Sequence, residues 1–248
     1  MRRLALIVGA LLLVGAFVVS AQNVLVQDDF SSMRAWTVGY GDWSIRGGML
    51  AQRDTDTGLA RIDRRVPQSG VYEVSFDVRY LAGGFQDQMD LRNQQFHAGF
   101  GIHVGVDNPA LGRIAWGNGD SYLLWLNLDT RRETAREASE HLGFRGQVYD
   151  STSNSTMELT DMNVDIQAAL STIGVDLGIE DIDPFLYRTV PIKIRVNTNS
   201  GRIMVNDPTA PRIWFYFDVD PAKLRGNYMS LRTNSLALGF SDFMVVQR

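Results

Sequence analysis

The sequence predicts an all-β protein: a two-sheet antiparallel β-sandwich with a helical insertion. Several segments alternate apolar and polar residues with a period of two, as strands do when they bury one face. Turn residues such as Gly, Asn and Asp separate these segments at short intervals. The chain contains no cysteine, so its stability must come from a hydrophobic core and not from disulfide bonds.

The first residues have the features of a secretory signal peptide. Basic residues follow Met1 and precede a long apolar run, and Val19-Ser20-Ala21 has the small-residue pattern of a cleavage site. We therefore expect residues 1–21 to be removed, and residues 22–248 to form one domain outside the cytoplasm. The alternative is a retained membrane anchor, because the apolar run approaches the length of a spanning helix.

The charge balance argues against a nucleic-acid partner. The formal net charge is −4 at pH 7, whereas nucleic-acid binding depends on the neutralisation of phosphates by Lys and Arg. No segment after the N-terminal run is apolar enough to span a membrane, so we expect no membrane span once the signal is cleaved.

Strands are expected throughout the first third of the chain. Residues 24–30 open the fold, Gly47-Gly48 is the turn of a hairpin, and residues 57–66 form a less regular strand. A polar stretch, residues 81–97, is predicted as a loop. Before it, residues 71–80 alternate cleanly, and one face carries Tyr72, Val74, Phe76, Val78 and Tyr80.

The most informative strands are residues 98–106 and 121–129, which flank a loop rich in Asn, Gly and Pro. On the first strand, His103 shares a face with glycines and lies opposite an apolar face. On the second strand, Trp125 and Asn127 lie opposite a row of apolar residues. The two strands therefore predict a core on one side and, on the other, a glycine floor beside an indole and an amide.

Residues 130–188 are predicted to form a helical and loop insertion. Thr130 and Glu133 fit a capping box for a short exposed helix that ends at Gly143. A polar run follows, and we expect a second helix to dock on the sandwich. This helix is predicted from the spacing of Leu159, Met162, Ile166, Ala169, Leu170 and Ile173.

Alternating strands resume after the insertion. They are expected at residues 190–197, 202–205, 213–219, 228–233 and 236–246. The turn Asn199-Ser200-Gly201 joins the first two strands as a hairpin. The polar faces of the first and third strands carry Arg195, Trp214 and Tyr216.

The order of these pieces resembles the concanavalin A-like, laminin G-like jelly roll of lectins and family 16 glucanases. The resemblance covers residues 27–129 and 190–248 and leaves the insertion outside. It is carried by QDDF, the W-x-I-x-x-G-x-L unit, YEVSFDVRY, AGFGIHV, SYLLWLNL, PIKIRVN, GRIMV and LALGFSDFMVV. The resemblance implies a jelly-roll sandwich.

Family 16 enzymes carry their catalytic carboxylates near an E-x-D-x-x-E strand motif. The strand that looks equivalent here, SYLLWLNLD, offers Trp125, Asn127 and Asp129 on the relevant face but no glutamate. We therefore expect no catalytic residue of this type. A glycoside hydrolase with an atypical carboxylate arrangement is retained as an alternative.

A structural calcium ion is the one cofactor that the sequence suggests. Asp28 and Asp29 lie near the first strand and Asp242 near the last, so the three carboxylates would meet if these strands pair, as in similar modules. Turn and capping roles for the same aspartates are the alternative interpretation.

The polar faces predict a binding function. Sugars stack their C–H faces on aromatic rings, and their hydroxyls need paired polar groups. A common groove would supply both through His103, Trp125, Asn127, Arg195, Trp214 and Tyr216, unless the two outer faces divide these residues. We expect an exported, non-catalytic module that binds a glycan or cell-envelope polysaccharide. The alternative is a structural subunit of a surface assembly that binds protein partners.

Overall fold

The computed structural model describes residues 23–83, 98–127, 144–173 and 189–248. In these residues we number fifteen strands in chain order. They are β1 Asn23–Asp28, β2 Trp36–Tyr40, β3 Trp43–Arg46, β4 Met49–Gln52, β5 Ala60–Arg65, β6 Val71–Gly83, β7 Gly99–Val106, β8 Asp120–Asn127, β9 Arg145–Thr152, β10 Met157–Asp165, β11 Thr189–Asn197, β12 Arg202–Asn206, β13 Ile213–Asp218, β14 Tyr228–Asn234 and β15 Leu236–Gln247. The helix α1 is Gln167–Ser171, and Pro221–Leu224 forms a 3₁₀ turn.

The strands form two antiparallel sheets that pack as a sandwich, which confirms the predicted fold class. The eight-stranded sheet has the order β13-β12-β11-β6-β15-β4-β3, and β1 also pairs with β15. The seven-stranded sheet has the order β10-β9-β8-β7-β14-β5-β2. The predicted hairpins at Gly47-Gly48 and Asn199-Ser200-Gly201 are both formed, as β3–β4 and β11–β12.

Each sheet takes an interior strand from the last part of the chain. In the seven-stranded sheet, β14 lies between β7 and β5, and in the eight-stranded sheet β15 lies between β6 and β4. These two strands cover Tyr228–Asn234 and Leu236–Gln247. The final segment therefore joins strands from distant parts of the sequence in both sheets.

An aromatic cluster connects the two sheets across the core. Phe240 on β15 is fully buried, and its ring centroid lies 6.0 Å from that of Trp43 and 6.1 Å from that of Phe76. On the opposite sheet, the ring of Phe100 meets it edge-on at 6.4 Å. The predicted inward faces of β6, β7 and β11 are confirmed, because their alternating apolar residues belong to this core.

The second predicted helix of the insertion is wrong over most of its length. Residues 157–165 form β10, which pairs antiparallel with β9, and only the five residues of α1 are helical. The register of β10 shifts between Leu159 and Asn163, which breaks the alternation that marks a strand. On α1, Leu170 is buried in the core, as is Ile166 just before it, so this short piece does pack on the sandwich.

Three predicted segments lie outside the described residues. They are the signal peptide, most of the loop predicted at residues 81–97, and the first helix of the insertion. In the described part of the chain, no helix has the length and apolar character needed to cross a bilayer.

Candidate functional site

The six residues predicted to bind a ligand are divided between the two sheets. The seven-stranded sheet holds three of them, on β7 and β8, and the eight-stranded sheet holds the other three, on β11 and β13. The predicted common polar groove is therefore not formed. Alternation assigns a side chain to one face of its own strand, but it does not determine which sheet that strand joins.

The outer face of the seven-stranded sheet is buried, although the sequence predicts it to be wet. Phe100 and Trp125 lie on opposite faces, as predicted, because Phe100 is in the main core and Trp125 packs in a separate cluster with Tyr149. The glycine floor accommodates the indole: a Cβ on Gly99 would lie 2.6 Å from Cζ2 of Trp125. Trp125, His103 and Asn127 are all buried.

A covering loop, residues 107–119, explains part of this burial. Its carbonyl oxygens at Ala110 and Trp116 accept hydrogen bonds from two buried arginines of the sheet. Its Asn118 side chain donates to Ser230 Oγ at 2.7 Å. The loop connects β7 to β8, and its Gly-, Asn- and Pro-rich sequence indicates a loop without indicating that it folds back over the sheet.

A buried charge network lies beneath the covering loop. Arg61 Nε donates to Asp63 Oδ1 at 3.0 Å, and both Arg61 and Arg232 are about 1% exposed. Asp63 also accepts hydrogen bonds from Ser230 and Asn118. Burial, reinforced by the charge of Arg61, lowers the pKa of Arg232 to about 9. Asp63 is paired with Arg61, whereas Arg232 donates to the carbonyl of Trp116, so among these three side chains one positive charge is buried in excess.

His103 is held neutral beside this network. Its Nδ1 lies 3.1 Å from Ser121 Oγ, and Ser121 uses its only proton to donate to the carbonyl of Asn118. The Nδ1–H of His103 must therefore be the donor, which leaves Nε2 as an acceptor. Burial, with the charges of Arg232 and Arg61, lowers the pKa of His103 well below 6.5.

We expect the wild-type protein to lose more stability than a His103→Gln variant when the pH falls from 7 to 5. His103 is neutral in the folded state but takes up a proton near its ordinary pKa when the chain unfolds, so the unfolded state binds more protons. Below that pKa, this difference costs the folded state about 1.4 kcal/mol per pH unit. Urea denaturation at both pH values measures it, and equal losses in the two proteins would show that His103 is not held neutral.

Trp116 is the aromatic residue of the covering loop that sequence analysis missed. It is 40% exposed. Its Nε1–H donates to the carbonyl of Met157 at 2.7 Å, and the guanidinium carbon of Arg232 lies 5.4 Å from its ring centroid. These contacts fix the orientation of a half-exposed indole. The sequence feature that could have identified it is its position, because it is a single Trp among Gly and Asn residues between two strands.

The outer face of the eight-stranded sheet carries an open polar groove of about 520 Å³. We call it the Arg195 groove. Its charged lining residues are Glu73, Lys193, Arg195, Asp207, Arg212 and Arg248, and residues 208–211 form part of its wall. Of the six predicted ligand residues, Arg195 alone is among the residues that line this groove. Tyr216, on the neighbouring β13, is 54% exposed and packs on Arg202, with 4.8 Å from guanidinium carbon to ring centroid.

Two arginines converge on one carboxylate in the Arg195 groove. Arg195 Nη2 donates to Glu73 Oε2 at 3.1 Å, and Arg248 Nη2 donates to Glu73 Oε1 at 2.6 Å. Burial alone would raise the pKa of Glu73, but the hydrogen bonds from Arg248 and Arg195 and the charges of Arg248 and Lys193 outweigh it, and the pKa is lowered. Glu73 is therefore an ionised anchor that orients both guanidinium groups.

Trp214 lies beside a break in the strand register. The register of β12 against β13 shifts between Val205 and Asn206, and Trp214 lines a cavity of about 80 Å³ between the sheets, next to Phe215 and α1. Trp125 also borders this cavity, although its ring packs with Tyr149 on the outer face of the seven-stranded sheet. The two predicted tryptophans therefore lie in different sheets, and the cavity between the sheets is apolar.

The predicted calcium ligands do not fit a metal site. Asp28 accepts hydrogen bonds from the backbone N–H of Phe30 and from the side chains of Trp36 and Arg64. Asp29 accepts from the backbone of a turn, and Asp242 is exposed. In the ranges that the structure describes, no group of three or more His, Cys, Asp or Glu side chains is placed to hold a metal ion. The turn interpretation fits Asp28 and Asp29 better.

Comparison with known proteins supports the fold. No protein-family model matches the sequence, and a search of curated proteins finds no significant match. Lectin II from Ulex europaeus superposes with a TM-score of 0.52 at 10% identity, over 92% of this chain and 98% of its own. A galectin-like protein of unknown function from Bacillus subtilis gives 0.52 at 14% identity, over 91% and 96%. A lectin from Bauhinia forficata in complex with GalNAc gives 0.50 at 12% identity, over 91% and 98%. The chain therefore has the two-sheet β-sandwich fold of these lectin-like structures.

Proposed function

We propose that the protein is an exported, non-catalytic module that binds a glycan. The observation that carries the proposal is Trp116, a half-exposed indole whose orientation is fixed by a hydrogen bond and by a buried guanidinium group. A ring held in this way stacks on the C–H face of a sugar without losing side-chain freedom on binding. The sandwich fold, which lectins also have, agrees with this function.

The buried carboxylate of Asp63 on the seven-stranded sheet does not favour hydrolysis. A glycosidase needs two carboxyl groups that face one cleft, one of them free to act as an acid. Asp63 is buried and accepts hydrogen bonds from Arg61, Ser230 and Asn118, and β8 carries no glutamate. We therefore propose binding without bond cleavage.

A glycan array probed with the purified protein tests the proposal, and Trp116→Ala tests the site. We expect Trp116→Ala to weaken binding to the sugars that the array identifies by roughly tenfold, because the stacking surface is lost. Ile114→Ser is the matched control, since Ile114 is 52% exposed on the same loop. An array without any binding, or equal binding by wild type and Trp116→Ala, would contradict the proposal.

A protein interface is the second candidate function, favoured by one observation. The covering loop exposes Leu111, Ile114 and Trp116 at 45%, 52% and 40%, and neighbouring exposed apolar side chains are typical of interaction surfaces. If the array shows no binding and the protein forms oligomers that Ile114→Ser dissociates, the surface-assembly function replaces glycan binding.

A further inference from the structure

The Arg195 groove is basic, whereas the protein as a whole is acidic. The formal net charge of the chain is −4, yet the groove has four cationic side chains and two carboxylates. This reversal of sign is local to the outer face of the eight-stranded sheet, at β6, β11 and the loop after β12. A positive groove on a negative protein attracts an anionic ligand and orients it toward this face.

Both carboxylates of the groove are already engaged and ionised. Glu73 accepts from Arg195 and Arg248. Asp207 accepts from the hydroxyl and the N–H of Thr209 and from Arg212 Nε at 2.6 Å, and these bonds, those of Thr209 first, lower the pKa of Asp207 to about 2. The acids therefore hold the guanidinium groups in place and do not compete as free acceptors for a ligand's hydroxyls.

Two cationic groups keep unused hydrogen-bonding capacity. Arg195 uses Nη2 to bond Glu73, and its side chain remains 42% exposed. Lys193, which lies close enough to lower the pKa of Glu73 by its charge, has no ion pair with any residue that the structure describes. The two residues lie on the same face of β11. They therefore place two donors side by side along one wall of the groove.

We propose that the Arg195 groove binds the carboxylates of a polysaccharide that contains uronic acids. This inference rests on the proposed glycan-binding function and names its ligand class. The groove volume of about 520 Å³ lies in the range of small-ligand sites, and the planar guanidinium group matches a carboxylate. The site is on the other sheet from Trp116, so it would engage a second stretch of a long chain.

Calorimetric titration with oligogalacturonides tests the proposal, with the methyl-esterified form of the same oligomers as the neutral probe. We expect the acidic oligomers to bind, the esters not to bind, and affinity to fall as salt rises. Arg195→Gln and Lys193→Gln should each weaken binding roughly tenfold, because each removes one charge-assisted contact. Arg46→Gln, on the far edge strand of the same sheet, should leave it unchanged. The Lys193 side chain has no hydrogen bond or ion pair with the residues that the structure describes. Lys193→Gln therefore breaks no such contact of the folded chain, and its effect reports on the lost charge.

Other outcomes would overturn the proposal. Binding of the esters as tightly as the acids would show that charge is not recognised. Equal binding of dextran sulfate would show that the groove recognises anions in general and not carboxylates. Tighter binding of an oligonucleotide would show that its ligand is a nucleic acid and not a glycan. If Trp116→Ala abolishes binding to array glycans and the two groove variants do not affect any probe, the proposed function stands and the Arg195 groove is not its site.

Discussion

Replacement of Asp63 by Asn is expected to destabilise the protein by about 3–5 kcal/mol, because it leaves buried charge without a partner. Asp63 is the carboxylate that faces Arg61, and Arg232 lies buried on the neighbouring strand β14. Without it, two guanidinium groups remain in a region that water does not reach. Chemical denaturation at neutral pH measures the free energy of unfolding.

Asp218→Asn is the control for this prediction. Asp218 pairs with Arg202 through two hydrogen bonds of 2.8 and 2.9 Å, but both side chains are exposed. Exposed ion pairs contribute little, so we expect almost no change. If the two variants lose similar stability, the network beneath the covering loop is hydrated and its charges are not truly buried.

Phe240→Ala is expected to cost about 3–5 kcal/mol, the usual range for a buried phenylalanine. The side chain is fully buried and contacts aromatic rings of both sheets, so its removal leaves a cavity where the sheets meet. Thermal and urea unfolding measure the loss. Phe240→Leu should lose clearly less, because leucine refills much of the volume. Equal losses in the two variants would mean that ring contacts, and not filled volume, determine stability here.

The strands were largely predictable because a strand that buries one face alternates apolar and polar residues along the sequence. Val71–Gly83, Gly99–Val106 and Thr189–Asn197 each bury one alternating set of side chains in the core, and each was predicted within a few residues. The prediction for Met157–Asp165 was wrong because this segment is an edge strand with a shifted register and mostly intermediate burial. With no clean alternation, its apolar residues matched a helical spacing.

The candidate site was less predictable than the fold. Alternation correctly placed His103 and Trp125 on the face opposite Phe100, but it carries no information on what covers that face. Here the covering loop lies across it, held by hydrogen bonds from Arg61 and Arg232. Strand patterns also assign Trp116 to a loop, and they do not predict the conformation of that loop. The fixed orientation and half-exposure of its ring could therefore not be predicted from the sequence.

The late position of β14 and β15 in the chain has a consequence for biosynthesis. Because β14 bridges β5 and β7, and β15 bridges β4 and β6, the seven-stranded sheet cannot close until Asn234 has emerged from the ribosome, and the eight-stranded sheet cannot close until Gln247 has emerged. Until then, earlier strands expose unpaired edges to other chains. The protein is therefore expected to fold slowly, and to complete its two sheets only after residues 228–247 have been synthesised.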